Sequence, residues 1–330
     1  MTDLSNSQID PTATTTVGAT GVTITRIGFG TAPLGGLYDV VDEADAHAAV
    51  QRGLDAGLGY FDSAPHYGWG LAETRLGAAL AEAGRRPAIG TKIGYGLRPS
   101  TQASHDFFGT PPLEPYIDWT EEGVQRSFEG SLERLGTDRV DILYLHDPTN
   151  GEFDDLVRVG ATTARKWQDE GIVGAVGAGM NTTADAVALH ERVELDAVLI
   201  AGRVSLLDQS ATEVLLPRCA SRGTSVIVGG VYSSGILARP DVSAKYDYKP
   251  AAAELVGRAR QIGVICERHG VPLQAAAIQF PFRYDAVTAV IPGMRSVEEV
   301  DQNLAWCAHE IPAELWAELE AAGHIPPLDD

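Results

Sequence analysis

Four side chains with complementary proton chemistry lie at or just beyond the ends of three successive strand-like segments. Asp62 ends one apolar segment, Tyr67 follows it in a loop rich in proline and glycine, and Lys92 and His146 end the next two segments. In a parallel barrel the carboxyl ends of the strands share one rim, where catalytic residues gather. An aspartate that holds a lysine, which in turn lowers the pKa of a tyrosine, makes a proton donor and acceptor beside a carbonyl group. The four residues therefore predict carbonyl reduction, or alcohol oxidation in the reverse direction.

The elements that would position these residues alternate between strand and helix after a hairpin predicted over residues 17–30. Eight such units predict a single (β/α)8 TIM barrel over residues 17–330, preceded by a disordered N-terminal tail over residues 1–16. A doubly wound open sheet is the alternative, but its usual G-x-G-x-x-G loop is absent, because the first strand leads into GFGTAP at residues 28–33. The later strands are predicted at 60–61, 87–92, 140–146, 172–178, 197–200, 225–228 and 287–291. The helices are predicted at 43–56, 71–83, 120–135, 153–170, 183–192, 212–222, 250–269 (a region that could extend through 274–280), 296–306 and 314–322.

Two predicted loops are long enough to suggest a function. Residues 94–119 follow the third strand, and residues 229–249 follow the seventh. Loops longer than about 12–15 residues are usually functional or disordered. Both loops carry aromatic residues and few charges, so we expect a substrate wall in the first and a cofactor flap in the second.

Composition excludes several classes of function. The formal net charge of -20 disfavours nucleic acid and anionic membranes as partners, because their phosphates would be repelled. The three cysteines are far apart and form no CxxC pair, which is typical of a reducing compartment. The polar start lacks the features of a signal peptide and no apolar run is long enough to span a membrane, so we expect a cytoplasmic protein. The eight histidines are scattered and form no H-E-x-x-H motif, so no metal site is predicted.

Over nearly its whole length the chain resembles the aldo-keto reductase superfamily. Three motifs carry the resemblance: FDSAP-x-YG-x-G at residues 61–70 with Glu73; SL-x-x-L-x-x-D-x-x-D at 131–141 followed by YLH at 144–146; and IPG at 291–293 followed by Asn303. The segments YLHDP at 144–148 and GGVYSSGIL at 229–237 look most like the aldose 1-dehydrogenase branch, which includes L-fucose, D-threo-aldose and galactose dehydrogenases and a pyridoxal 4-dehydrogenase. The resemblance implies a catalytic tetrad of Asp62, Tyr67, Lys92 and His146.

The resemblance also implies a bound nicotinamide cofactor, NAD or NADP. Members that require NADPH often hold its 2′-phosphate with a base at the position of Glu299, and an acid there repels phosphate, so we favour NAD. Arg295 is the competing feature, because it could still bind a phosphate. Backbone N–H groups from Gly230 to Leu237 should face the pyrophosphate. The implied cofactor contacts are Gly30, Thr31, Ala32, Asp62, Asn181, Gly230, Val231, Tyr232, Ser234, Gly235, Leu237, Gly293, Arg295, Glu299 and Asn303.

Three positions depart from the family pattern. Gly179-Met180 stand where Ser-Asn often holds the nicotinamide carboxamide, which leaves Asn181 as the candidate for that contact. Ala201 stands where a glutamine is usual. The aromatic residue that commonly stacks under the nicotinamide aligns with Gly229 or Gly230, and glycine there would let the backbone approach the cofactor closely.

The resulting functional hypothesis is NAD(P)-dependent oxidation of the C1 hemiacetal hydroxyl of an aldose, of the L-fucose or D-threo-aldose type, to the lactone. Aldehyde or carbonyl chemistry on a non-sugar substrate such as pyridoxal is the alternative within the family. A Schiff-base aldolase that uses Lys92 and a cofactor-binding regulatory subunit are the alternatives outside it. We expect a monomer or weak homo-oligomer. The expected substrate contacts are His66, Trp69, Phe108, Trp119 and His146.

Overall fold

Eight parallel strands form the central sheet of the computed structural model, which describes residues 9–148, 152–240, 245–247 and 249–328. Their order across the sheet follows their order along the chain, as in a barrel. Parallel bridges from Ile27 to Val290 and from Gly30 to Gly293 join the first strand to the last. The predicted (β/α)8 TIM barrel is therefore confirmed. The strands are Phe29–Gly30, Tyr60–Asp62, Ala88–Ile93, Val140–His146, Val173–Met180, Ala197–Ala201, Ser225–Gly229 and Val287–Ile291.

Helices cover the outside of this sheet close to where apolar periodicity predicted them. Several begin at side-chain caps, including the predicted Thr120, whose hydroxyl accepts from the N–H of Gly123. The helix predicted over 153–170 is interrupted by a π-helical segment at Leu156–Ala161. Within it, a Cβ on Gly160 would lie 2.6 Å from the Trp119 ring. The α-helices longer than three residues are Glu43–Asp55, Leu71–Ala81, Glu121–Leu135, Thr162–Asp169, Thr183–Arg192, Leu215–Arg222, Ala253–Arg268, Leu273–Gln279, Val297–Cys307 and Ala313–Ala321.

The N-terminal hairpin begins earlier than predicted. Strand Thr14–Thr16 pairs antiparallel with Thr23–Thr25, so residues 9–16 differ from the disordered tail expected over 1–16. Residues 1–8 of that predicted tail lie outside the described residues. The hairpin turn packs on the barrel, where the N–H of Gly18 donates to the Ser225 hydroxyl over 2.9 Å. This contact with a distant strand of the barrel helps to hold the hairpin in place, and the local sequence gives no sign of it.

The barrel has two apolar layers. The larger one lies between the strands and the helices. The smaller one fills the interior of the barrel and includes two complete tyrosine side chains, Tyr60 and Tyr144, among aliphatic residues such as Ile142 and Ile227. In the described part of the chain, no helix is long and apolar enough to cross a membrane.

The two long loops lie at the carboxyl ends of the third and seventh strands, as predicted. The first contains an antiparallel ribbon, Tyr95–Pro99 with Leu113–Ile117. The second contains the short pair Lys245–Tyr246 with Lys249–Pro250. Both reach the cavity at this end of the barrel, which is the end that carries the predicted tetrad.

Candidate active site

A buried ion pair forms the base of the site. Lys92 Nζ lies 2.6 Å from Asp62 Oδ1 and donates a second hydrogen bond to the carbonyl oxygen of Ser63 over 2.7 Å. Both side chains are almost fully buried, and they come from neighbouring parallel strands in which Asp62 pairs with Gly90, two residues before Lys92. Breaking such a pair from one side typically costs about 3–5 kcal/mol, because the remaining charge stays buried. The ammonium is therefore held in one place.

Tyr67 lies above this pair, in the loop after the second barrel strand. Its ring centre is 4.6 Å from Lys92 Nζ. The loop packs backbone against backbone on Gly35, where a Cβ would lie 2.7 Å from both the carbonyl carbon of Tyr67 and the nitrogen of Gly68. Only glycine permits that approach, so the position of Tyr67 depends on a residue far from it in the sequence.

The pKa of Tyr67 moves in the opposite direction from the one that a lysine alone would produce. Burial raises the pKa well above 10, and the charges of Asp62 and Asp147 raise it further. Asp62 compensates the charge of Lys92 within 2.6 Å, so little net positive charge acts on the phenol. Lys92 is not among the groups that dominate this shift, so its predicted lowering of the pKa of Tyr67 stays a prediction, and the raised pKa leaves Tyr67 a neutral proton donor at neutral pH.

His146 ends the fourth barrel strand and completes the group of four. Its pKa lies well below 6.5, because burial, Lys92 and His66 all disfavour the charged imidazolium. Among the described residues, its buried Nδ1 has no hydrogen-bond partner. The ring packs edge-on against Tyr67 and Tyr95, with ring centres 6.2 and 5.1 Å apart. A neutral imidazole in this place can donate or accept one hydrogen bond at a substrate oxygen.

A second buried acid supports the third strand from behind. Glu73, which belongs to the first family motif, is fully buried and accepts from the Thr91 hydroxyl over 2.5 Å. Its other oxygen accepts from Arg134 Nε over 2.8 Å. Thr91 immediately precedes Lys92, so this pair fixes the backbone from which the lysine extends.

The tetrad opens into a cavity of about 280 Å³ at the carboxyl end of the barrel. Seven of the expected cofactor contacts line it, namely Gly30, Ala32, Asp62, Asn181, Gly230, Ser234 and Gly293. Ala201 and Gly229, which stand where the family usually has larger residues, line it as well. The other expected contacts, Thr31, Val231, Tyr232, Gly235, Leu237, Arg295, Glu299 and Asn303, lie outside this cavity.

The turn after the seventh strand fits an anionic group less completely than predicted. The N–H groups of Ser233, Gly235 and Leu237 are used in hydrogen bonds within the turn. Ser233 and Ser234 adopt positive φ angles of 50° and 57°, and with Gly230 they line the cavity. Consecutive residues in that conformation form a concave backbone that suits anions. The residues present therefore fit the pyrophosphate of a dinucleotide, through 230–234 rather than through the whole segment to 237.

The expected adenosine-end residues form a connected group beside the last long helix. Arg295 and Glu299 are joined by an ion pair, with Nε 3.2 Å from Oε1. Asn303 donates to the carbonyl oxygen of Glu299 over 2.7 Å and accepts from the Tyr232 hydroxyl over 2.6 Å. Tyr232 thus links the cofactor-side turn to this helix.

Asn181, the expected carboxamide contact, is bound to Asp147. Its backbone N–H donates to Asp147 Oδ1 over 2.8 Å, and its side-chain Nδ2 donates to Oδ2. Its backbone oxygen accepts from Arg203 Nε over 2.7 Å. Because these bonds fix the side chain and use Nδ2, the oxygen Oδ1 is the atom left to receive a carboxamide N–H.

The structure brings only part of the expected substrate wall to the cavity. His66 and His146 line it, whereas Trp69 is 6 % exposed and lines a neighbouring cavity with His66. Phe108 is 42 % exposed and lies outside the main cavity. Trp119 is 4 % exposed and packs its ring on Gly94 and Gly160. The prediction of substrate contacts for Phe108 and Trp119 therefore has no support from their positions.

Several lining residues were not predicted as contacts. Tyr95 and Asp147 closely follow the third and fourth strands, and Met180 ends the fifth, so strand-end position alone could have identified them. Leu37 and Tyr38 come from a loop that no local signal marks, whereas Tyr246 and Asp247 belong to the second long loop, in which a cofactor flap is predicted. Among the described residues, no group of three or more His, Cys, Asp or Glu side chains could hold a metal ion.

Comparisons with known proteins agree with this geometry. The model of the aldo/keto reductase family matches residues 26–324. The chain is 40 % identical to a pyridoxal 4-dehydrogenase of Microbacterium luteolum, over 94 % of this chain and 97 % of that one. It is 38 % identical to a D-threo-aldose 1-dehydrogenase of a Pseudomonas species, over 93 % of this chain and 97 % of that one.

Solved structures support the fold. An aldo-keto reductase of Bacillus halodurans, in its holo form, superimposes with a TM-score of 0.74 at 22 % identity, covering 94 % of this chain and 96 % of that one. A glycerol dehydrogenase of Gluconobacter oxydans gives a TM-score of 0.72 at 18 % identity, covering 96 % and 97 %.

Proposed function

The chain belongs to the aldo/keto reductase family, whose members are NAD(P)-dependent oxidoreductases, and on that premise we propose that it oxidises the C1 hemiacetal hydroxyl of an aldose to the lactone. The observation that carries this proposal is the contact of the buried Lys92–Asp62 pair with the Tyr67 ring, 4.6 Å from Nζ, at the base of a cavity lined by His146.

Each member of the tetrad has one role in this proposal. Tyr67 exchanges the hydroxyl proton with the substrate, and Lys92 lies against its ring while Asp62 anchors the lysine. His146, as a neutral imidazole, orients the substrate oxygen. A nicotinamide held in the cavity, beside lining residues such as Gly30, Gly230 and Gly293, would supply the acceptor for the hydride that leaves C1. Because the pKa of Tyr67 is raised, its proton-accepting phenolate is scarce at neutral pH and oxidation should accelerate as the pH rises.

A substrate with several hydroxyl donors fits the polar side of the cavity. Asp147 lies next to His146 in the sequence, lines the cavity and offers two carboxylate oxygens, each with room for a second hydrogen bond. Burial raises its pKa to about 6, so it is ionised at neutral pH. Neighbouring hydroxyls of a sugar donate well to such a carboxylate.

Pyridoxal is the second candidate. His66 and Tyr95 have ring centres 4.9 Å apart on one side of the cavity, which gives a flat aromatic ring a surface to stack on. Asp147 could accept from a pyridinium N–H in the same place. The relatives named for pyridoxal and for D-threo-aldose are almost equally similar to this chain, so their identities do not choose between the two substrates.

We propose NAD rather than NADP as the cofactor. The acid Glu299 and the base Arg295 form an ion pair, so the positive charge that would attract a 2′-phosphate is already compensated. The backbone N–H of Arg295 also donates to Glu299, over 3.0 Å. A free ribose hydroxyl could donate to the carboxylate, whereas a phosphate would meet repulsion.

The geometry argues against a Schiff-base aldolase. Such chemistry needs a lysine amine that is free to attack a carbonyl. Here the ammonium of Lys92 is bonded to both Asp62 and Ser63. Borohydride in the presence of candidate substrates should therefore trap no covalent adduct on Lys92.

The experiment that tests the proposed function is a steady-state panel of aldoses, simple aldehydes, pyridoxal and glycerol, each with NAD and with NADP. We expect the highest kcat/KM for an aldose with NAD, and a lactone as the product. The highest kcat/KM for pyridoxal would overturn the sugar assignment while leaving the tetrad intact. Absence of turnover with every substrate, together with tight nucleotide binding, would favour a regulatory subunit.

A further inference from the structure

Two tyrosines fill the barrel interior beneath the Asp62–Lys92 pair. Tyr60 and Tyr144 are fully buried, and their hydroxyl oxygens lie 2.8 Å apart. The Tyr60 hydroxyl donates to Asp62 Oδ2 over 3.4 Å, which is the oxygen that Lys92 does not bond. Because Tyr60 has a single hydroxyl proton, Tyr144 is then the donor between the two tyrosines. A chain of hydrogen bonds therefore runs from Tyr144 through Tyr60 to Asp62 and Lys92.

Glycines on neighbouring strands make the space for these rings. A Cβ on Gly28 would lie 2.6 Å from Tyr60 Cδ1, and one on Gly90 would lie 2.6 Å from the Tyr60 hydroxyl. A Cβ on Gly177 would lie 2.6 Å from Tyr144 Cδ1. Any side chain at these positions would displace a tyrosine, so the barrel interior is shaped around the pair.

Lys92 lies between two aromatic faces. Its Nζ is 4.6 Å from the ring centre of Tyr67 and 5.7 Å from that of Tyr144. Both distances are within the range of cation–π attraction. Tyr144 thus acts on the ion pair twice, through its hydroxyl by way of Tyr60 and through its ring at the ammonium.

Strand geometry connects these tyrosines to the tetrad. Tyr60 lies two residues before Asp62, and Tyr144 lies two residues before His146. Alternate residues of a strand point to the same face, so each tyrosine lies one layer below a proposed catalytic residue. Neither tyrosine lines the cavity, so neither touches the substrate.

We propose that Tyr60 and Tyr144 are positioning residues, whose two hydroxyls hold the Asp62 carboxylate ionised and directed at Lys92 and thereby keep the ammonium against Tyr67. This inference rests on the roles of Asp62, Lys92 and Tyr67 in the proposed function.

The groups that face Asp62 give the expected direction of the effect. Burial raises its pKa, Lys92 and the Tyr60 hydroxyl lower it, and Glu73 raises it. Burial also holds the pKa of Tyr60 and of Tyr144 well above 10, so both hydroxyls remain protonated donors. Removing the donor from Tyr60 should therefore raise the pKa of Asp62 and bring its protonation closer to the working pH.

The test is Tyr60→Phe and Tyr144→Phe, which keep the rings and remove only the hydroxyls. We expect kcat to fall about tenfold for Tyr60→Phe and about threefold for Tyr144→Phe, with KM and the Kd for nucleotide unchanged. The kcat limb that comes from protonation of Asp62, which lies at lower pH than the rise caused by Tyr67, should move to higher pH in both variants. Tyr284→Phe is the matched control, because that buried hydroxyl precedes the eighth strand at the opposite end of the barrel, and it should change neither kcat nor the limb.

Two results would overturn the inference. One is an unchanged kcat and pH profile in both variants. The other is a fall in kcat that accompanies a lower Tm without movement of the acid limb, as expected of a purely structural role. If Tyr60→Phe does not fold, Tyr144→Phe provides the same readouts. Failure of the tetrad roles on which the inference rests has a different signature, because Tyr67→Phe would then retain its activity, and failure of the sugar assignment alone would appear in the substrate panel and leave these readouts unchanged.

Discussion

Arg295 and Glu299 neutralise each other at the start of the helix Val297–Cys307. The guanidinium Nε lies 3.2 Å from Oε1, and the backbone N–H of Arg295 donates to Oε2 over 3.0 Å. From the sequence alone, Arg295 and Glu299 have opposite expected effects on a 2′-phosphate, which Arg295 would attract and Glu299 would repel. As a pair they provide no free positive charge for that phosphate.

Glu299→Arg should shift cofactor preference toward NADP. The change replaces repulsion with a charge-assisted hydrogen bond to the phosphate and releases Arg295 from its pair. We expect the ratio of kcat/KM for NADP to that for NAD to rise at least tenfold, measured by steady-state kinetics. Glu298→Arg changes the net charge equally and should leave the ratio within about twofold of the parent. A parent enzyme that clearly prefers NADP would contradict the role given to Glu299.

Asp147 should give the kcat/KM profile an acid limb near pH 6. Its pKa is raised to about 6 by burial, so as the pH falls through 6 the carboxylate gains a proton and loses its capacity to accept from two hydroxyls. In Asp147→Asn the limb should disappear, and kcat/KM for an aldose should fall about 10–100-fold, mainly through KM. Asp169→Asn, an exposed acid, is the control. If the acid limb persists near pH 6 in Asp147→Asn, a group other than Asp147 causes it.

Lys92→Met should abolish most turnover and also destabilise the protein. The variant leaves Asp62 buried without its partner, at a cost of about 3–5 kcal/mol in the free energy of unfolding. The double variant Asp62→Asn/Lys92→Met removes the unpaired charge, so its stability should recover while its kcat remains low. Recovery of activity together with stability would mean that Lys92 has only a structural role.

The long loop after the third strand contains one core residue, Trp119, and one surface residue, Phe108, and their variants should behave differently. Trp119→Ala should lower the free energy of unfolding by about 3–5 kcal/mol, because it leaves a cavity beside Gly94 and Gly160. Phe108→Ala should change stability by less than about 0.5 kcal/mol and leave KM unchanged. Denaturant unfolding and steady-state kinetics measure both. A large rise in KM for Phe108→Ala with full stability would restore it as a substrate contact.

The sequence predicted the barrel and the four tetrad residues because both follow from local patterns. Alternating strand and helix periods predict the barrel, and Asp62, Lys92 and His146 lie at strand ends that must share a rim. What it could not predict depends on contacts between distant segments. The pKa of Tyr67 is raised because the phenol is buried and lies near the charges of Asp62 and Asp147, and these are features of the tertiary structure.

The loops show the same limit. From composition alone, an aromatic residue in a long loop could belong either to a substrate wall or to the core. Trp119 belongs to the core because its ring packs against Gly94 and Gly160, which are distant or unmarked in the sequence. Tyr38 and Asp247 reach the cavity from loops through positive φ angles of 68° and 48°, which nothing in their neighbouring sequence demands.

The most direct test of the proposed mechanism is the kcat of Tyr67→Phe, measured with the nucleotide Kd and Tm of the same preparation. The substitution removes one hydroxyl and keeps the ring against Lys92. If Tyr67 exchanges the proton, kcat should fall by about 10²–10⁴-fold while Kd and Tm stay close to those of the parent. A kcat within a few-fold of the parent would contradict the assignment of Tyr67 and, with it, the proposed mechanism.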